Sequence, residues 1–226
     1  MSIKSFVLNK DHIALDSYTE LKSIRALIEK EFHNLEPGEN TKNKLDRGIR
    51  WGIIANNQKT WLQRNTYQLD DKFNQEESGN TRKFTLISDE FINHKVIDQL
   101  ITNHFNKWRF EEGSDWRAYE VQVSLIGYKA TWLETAIPAP AIAHQDMIDG
   151  SVTVLHREGD IEGGITRVFN LDGEMLVEAD LHVGDSIFMV DSETKHLVTP
   201  ISIPFGSCTG KARRLIMIIR FQPLGR

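Results

Sequence analysis

The stretch ITRVFNLDGEMLVEADL, Ile165 to Leu181, sets two alternating runs on either side of Asp172-Gly173. A pair of this kind between strand-like runs is a hairpin signal, because glycine reaches the positive-φ conformations that a tight turn demands. Working outward, the hairpin is one member of a series. YEVQVSLIGYKAT (119–131), SVTVLHRE (151–158), GDSIFMV (184–190), KHLVTPISI (195–203) and RRLIMIIRFQPL (213–224) are short β-branched or aromatic runs punctuated by Gly, Asp, Asn and Pro. Many short strands at close intervals predict a sandwich or double-sheet jelly roll. The natural ligand pocket of such a fold is the mouth between its sheets.

The first half mixes helix and strand. In DSYTELKSIRALIEKEFHNLEPG (16–38), Leu21, Ile24, Leu27, Ile28, Phe32 and Leu35 recur at helical spacing. Ser17 and Glu20 have the spacing of a capping box, and Pro37-Gly38 supplies the stop. A second helix is expected over 88–108, capped by Ser88 or Asp89. RGIRWGIIA (47–55) and TWLQRNTYQL (60–69) read as strands, and the polar stretch 70–81 as a loop that could serve as a lid. The expected fold is mostly β with flanking helices, around a double-stranded β-helix (jelly-roll, cupin-like) core. A single domain spans 1–226: a helix-rich flanking part over 1–115, then the core over 116–226.

Composition bounds the function. The chain has 226 residues, a formal net charge of −5 and 40% hydrophobic residues, which fits a folded protein. Without concentrated Lys and Arg it has no electrostatic footprint for nucleic acid or an anionic membrane surface. RRLIMIIR is too short to span a bilayer, and the first residues lack the apolar run of a signal peptide. Cys208 is the one cysteine, so no intrachain disulfide forms and a reducing, cytoplasmic location is expected. The expected partners are a small molecule and, at most, a second copy of the chain in a homodimer.

AHQDMIDG (143–150) places His144 and Asp146 two residues apart. On an extended segment such residues point the same way. Two histidines and one carboxylate on one face leave open positions on a bound ion, the arrangement of non-haem iron oxygenases. The third ligand must come from another strand, and His156, His182 and His196 are the candidates. His196 is preferred. It follows the strand GDSIFMV and the polar turn DSETK, an order that returns a strand to the mouth. His182 precedes Gly184-Asp185 and is expected to face solvent, while His156 lies among charged residues. Arg213 and Arg214 head the last apolar strand, where a buried guanidinium would need an anion. Alternation does not choose between them, because both faces of that strand are apolar.

Taken together, GYKAT (127–131), AHQD (143–146), EGGITRVFN (162–170), HLVTP (196–200) and RLIMIIRF (214–221) resemble the iron(II)/2-oxoglutarate dioxygenases. Within them the likeness is to the bacterial L-isoleucine 4-dioxygenase group of amino-acid hydroxylases. A weaker likeness reaches up to GNTRKFTLISDEF (79–91). The resemblance implies a jelly-roll core and Fe(II) held by His144, Asp146 and His196. By its distance from Phe221, Arg214 matches the arginine that pairs with the distal carboxylate of 2-oxoglutarate. Arg220 departs from the pattern, since a small hydroxyl residue can stand there; Tyr128 and Thr199 are candidates for the second contact to that carboxylate.

The implied reaction consumes O2 and 2-oxoglutarate, releases succinate and CO2, and hydroxylates an unactivated C–H bond of a free L-amino acid, aliphatic by default. Arg82 and Arg50 are candidate cations for its carboxylate and Asp149 a candidate anion for its ammonium. Trp51, Trp132 and Ile137 are candidate walls. A basic or cyclic amino acid is the alternative substrate. A cupin-like metalloenzyme that is not an oxygenase, or a binding module with an inactive site, are the alternative functions. Cupins usually combine several histidines with a glutamate, which argues against the first, and the full set of candidate ligands argues against the second.

Overall fold

An edge strand, β1 (Ile13–Ser17), opens the computed structural model, which describes residues 13–38, 45–56, 58–68, 81–107, 118–138, 142–146 and 150–224. β1 pairs with Asp185–Met189, and Tyr18 N donates to Gly184 O at 2.7 Å. This pairing takes Ser17 into a strand, and no side chain caps the turn that follows. The expected helix is therefore shorter at its start. Thr19–Ile24 is a 3-10 turn, and α1 runs only from Arg25 to Asn34. Leu35 then turns extended, and the helix is followed by the short β2 (Glu36–Pro37).

Next come β3 (Asp46–Ala55), β4 (Gln58–Leu62), β5 (Thr66–Gln68), β6 (Thr81–Lys83) and β7 (Thr85–Leu86). The second expected helix is divided. The Ser88 hydroxyl accepts from Phe91 N and caps α2 (Asp89–Ile92), the chain breaks at Asn93–His94, and α3 runs over Lys95–Lys107. Trp108 lies outside the described residues.

The strand-rich half follows its pattern closely. β8 (Ala118–Ala130), β9 (Gly150–Gly159), β10 (Glu162–Gly163), β11 (Thr166–Asn170) and β12 (Met175–Ala179) come first. β13 (Asp185–Met189), β14 (Thr194–Val198), β15 (Ile201–Ser202) and β16 (Ala212–Pro223) complete it. β11 and β12 form the hairpin, with Gly173 at φ 92° in its turn.

Two layers result. The larger sheet runs β1-β13-β9-β16-β8-β3-β2, with β4 and β7 also on β3. Facing it are β12-β11-β14 and β10-β15, extended by backbone bridges from His144 to His196 and from Ala136 to Ile201. Val154, Val168, Ile187, Ile201 and Ile216 fill the space between, while the helices cover the outer face of the larger sheet. The fold is a jelly roll with flanking helices.

Alternation along β16 divides the two interiors. Leu215, Met217, Ile219 and Phe221 join the helix-side core. Each such burial contributes about 1.5–3 kcal/mol. Arg214, Ile216, Ile218 and Arg220 fall on the other face, toward the mouth. Residues directly opposite in a ladder share a face. Arg47 opposite Ile126, Ile49 opposite Ser124 and Trp51 opposite Gln122 therefore lie on the mouth side, and Arg50 opposite Val123 on the helix side. Among the described residues no helix is long and apolar enough to cross a membrane.

Candidate metal centre

His144 and His196 are partners in a β-bridge. His144 N donates to His196 O at 3.0 Å, and His196 N donates to His144 O at 2.9 Å. The reciprocal bonds put both imidazoles on one side, ring centroids 4.4 Å apart. His144 Nδ1 lies 2.9 Å from Ile142 O. A carbonyl only accepts, so Nδ1 carries the proton and the Nε2 lone pair is left to face Asp146. His144 Nε2 is 3.7 Å from Asp146 Oδ1, and His196 Nε2 is 4.0 Å from Asp146 Oδ2. These separations exceed hydrogen bonds, yet one donor atom from each residue lies within 4.8 Å of the other two. The donors surround a common point without touching, and their chemistry suits a ferrous ion.

The surroundings set the charge. Burial pushes the Asp146 carboxyl up, but Arg220, aided by both histidines, outweighs it and holds the carboxyl below its ordinary value. Arg220 Nη2 donates to Asp146 Oδ2, leaving Oδ1 toward His144. Burial pushes the His196 imidazole down to about 4 against the pull of Asp146, so it is neutral and able to ligate at neutral pH. Its Nδ1 is buried with no hydrogen bond and stands 3.8 Å from Oδ1 of the buried Asp191. Asp191 is the acid placed to accept from Nδ1 once a metal fixes the ring, and a carboxylate so bonded orients a ligand histidine and raises its basicity. Asp191→Asn should weaken Fe(II) or Zn(II) binding by about tenfold or more, read by anaerobic dialysis, with the fold retained.

At the head of β16, Arg214 is 2% exposed and faces the mouth, where Nη1 donates to Gly164 O and Nε is buried without a partner. Burial pushes its guanidinium down to about 10. Gly164 has φ +71°, and a Cβ there would stand 2.7 Å from Arg214 Nη1, so this second glycine of EGGITRVFN makes room for the guanidinium, while Gly163 lets the chain pass Pro200 O. Arg213 faces the other way and meets Glu158. Tyr128 lies opposite Arg214 in the ladder and is 4% exposed; burial raises its phenol, while Arg214 and Arg47 pull it down. Thr199 Oγ1 accepts from Ile165 N beside the same glycine turn.

The remaining candidates scatter. His156 packs edge-on against Phe32 on the helix side, and His182 is exposed near Arg157. Arg50, expected as a substrate cation, is instead spent on Asp89 and on Ile87 O, because the β3 register sends it to the helices. Trp51 lies on the mouth side with Ile49 and Phe84, stacked on Tyr67. Trp132 and Ile137 are each 54% exposed, and Trp132 lies against Gly210 past the Arg214 end of the sheet. The structure does not bring these two to the triad. Asp149 and residues 70–80 of the expected lid lie outside the described residues, and Thr81 belongs to β6. Sequence reasoning singled out neither Arg47 nor Asp191. The register of β3 turns Arg47 to the mouth face, and the chain order brings Asp191 behind His196; no local pattern announces either.

The family model of the 2OG-Fe dioxygenases matches residues 29–219. The chain belongs to this family. Fe(II), 2-oxoglutarate and O2 are therefore the dioxygenase's cofactor and cosubstrates, which sets the non-oxygenase cupin reading aside. No curated protein sequence matches significantly. Among solved structures, IDO from Bacillus thuringiensis superposes with TM-score 0.76 at 17% identity, covering 96% of both chains. A bsmA homolog from Methylobium petroleophilum PM1 gives 0.76 at 19%, covering 96% of this chain and 91% of that one. The Fe(II)/(alpha)ketoglutarate-dependent dioxygenase TqaL gives 0.64 at 11%, covering 94% and 82%. At these identities the likeness is one of fold.

Proposed function

We propose that this dioxygenase hydroxylates an unactivated C–H bond of a free L-amino acid, aliphatic in the first instance. The observation that carries the reading is a buried apolar cluster on the mouth face of β3. Ile49, Trp51 and Phe84 form it, with Leu62 and Tyr67 packed against it, and Trp51 shares a ladder row with Gln122 and Arg220, the partner of Asp146. An apolar wall in that row suits a short hydrocarbon chain. When bound, iron supplies the oxidative decarboxylation of 2-oxoglutarate and the transfer of oxygen to the substrate carbon.

The protein's own part is positioning. His144, Asp146 and His196 would hold the ion, with His144 aligned by Ile142 O and Asp146 steadied by Arg220. Arg214 would take the distal carboxylate of 2-oxoglutarate, with Tyr128 or Thr199 as its second contact. Burial strengthens that pairing, because little water competes for the guanidinium. The apolar cluster would fix which substrate carbon faces the ion.

Succinate formation, followed across the free L-amino acids with Fe(II), 2-oxoglutarate and O2, tests the proposal. Stimulation by an aliphatic amino acid is expected, and stimulation by none of them overturns it. Arg214→Ala should raise the Kd for 2-oxoglutarate by about 10- to 100-fold, the loss of a charged hydrogen bond of about 1.5–3 kcal/mol. Arg213→Ala should leave that Kd unchanged.

A further inference from the structure

Arg47 sits on the mouth face of β3, opposite Ile126 in the ladder. Its guanidinium carbon is 5.9 Å from the centre of the Phe84 ring, so it borders the apolar cluster. Its Nε is buried with no hydrogen-bond partner, and among the described residues no acid pairs with it. Burial lowers its guanidinium; Tyr128 and Asp146 are near enough to counter this, and Arg82 and Arg220 to add to it. Asp146 is already engaged by Arg220. The mouth thus holds an unbalanced cation beside an apolar wall. A guanidinium withdrawn from water without an anion is costly, and a carboxylate answers it with fork geometry.

We infer that Arg47 forms a subsite for a carboxylate of the substrate, separate from the Arg214 site. This deepens the proposed function and rests on it for the claim that the carboxylate belongs to an amino acid. Arg214 stands on β16 opposite Tyr128 and is bonded to Gly164 O, whereas Arg47 stands on β3, the far side of β8, against Phe84, so the two guanidinium groups start from different strands. A substrate anchored at Arg47 would lay its side chain on Phe84, Ile49 and Trp51, toward Asp146.

The test uses Zn(II)-substituted protein saturated with 2-oxoglutarate and reads binding of isobutyrate and isobutyramide by ligand-observed NMR. Isobutyrate should bind at least about tenfold tighter than the amide, the scale of one charged hydrogen bond. Arg47→Met should erase that preference and leave the Kd for 2-oxoglutarate unchanged; Arg47→Gln serves in its place, with the same expectation, if the Met variant does not fold. A preference that survives either variant overturns the subsite. So does a matching loss of 2-oxoglutarate affinity, which would assign Arg47 to the cosubstrate, or the absence of any acid preference in the unaltered protein. The amino-acid reading fails separately, if no free L-amino acid drives succinate formation. Arg47-dependent isobutyrate binding would then still mark a carboxylate substrate of another kind.

Discussion

His196→Ala removes the visible charge-transfer band that Fe(II) and 2-oxoglutarate should give under anaerobic conditions, and with it all succinate formation. Two donors would remain, His144 and Asp146, and Asp146 is already shared with Arg220. The loss in metal affinity should exceed the hundredfold or so that removal of a mere supporting residue can cost. The fold should survive, because the strand is held through backbone bonds and the imidazole itself is partly exposed. Anaerobic absorption and dialysis check the band and the affinity, and circular dichroism checks the fold. A variant that keeps the band would show that the third ligand is another residue.

Acid should destabilise the protein well before its carboxylates titrate, and His104, with His196 in the metal-free protein, is the reason. His104 is buried between α3 and the larger sheet, against Phe188, with Nδ1 2.6 Å from Ser151 Oγ. Burial pushes its imidazole down to about 3 from an ordinary 6.5. Below 6.5 the unfolded chain takes up the proton and the folded chain does not. The contribution is therefore fully present above pH ~6.5 and erodes as pH falls toward the folded value, by about 1.4 kcal/mol per pH unit. By pH 4 the loss reaches about 3 kcal/mol, a large share of the roughly 5–15 kcal/mol that holds a domain together. Urea unfolding of the metal-free protein between pH 7 and 4 should show this slope, and His104→Gln should reduce it, leaving the share that His196 contributes. Equal slopes in the two proteins would refute the assignment.

Much of the β architecture was readable because its strands alternate and its turns carry Gly or Asp at the required places. The Ile165–Leu181 hairpin and the run from Arg213 are cases in point. His144 and Asp146 stand together with His196, as their spacing suggested, although only His144 is in a β-bridge and Asp146 follows it outside any strand. What escaped was settled by tertiary pairing. Ser17 looks like a cap but is drawn into β1, so the helix starts later. Arg50 looks like a free cation but its register delivers it to Asp89, and Arg47, three residues earlier, takes the mouth. Nothing local tells odd from even on that strand, because both faces are covered. Trp132 follows the end of β8 onto the surface, which an aromatic in an unpatterned segment does not announce.

The mutual backbone bonds between 144 and 196 carry one more implication. The spacing of the two backbones that carry the imidazoles is set when the chain folds, as in a vice tightened beforehand, so that an arriving ion has only side chains to organise on that side. Rotation of the His196 ring, whose Nδ1 has no hydrogen bond, is the adjustment left open, while Arg220 steadies the carboxylate. Cations of somewhat different radius can then be gripped with the scaffold standing still.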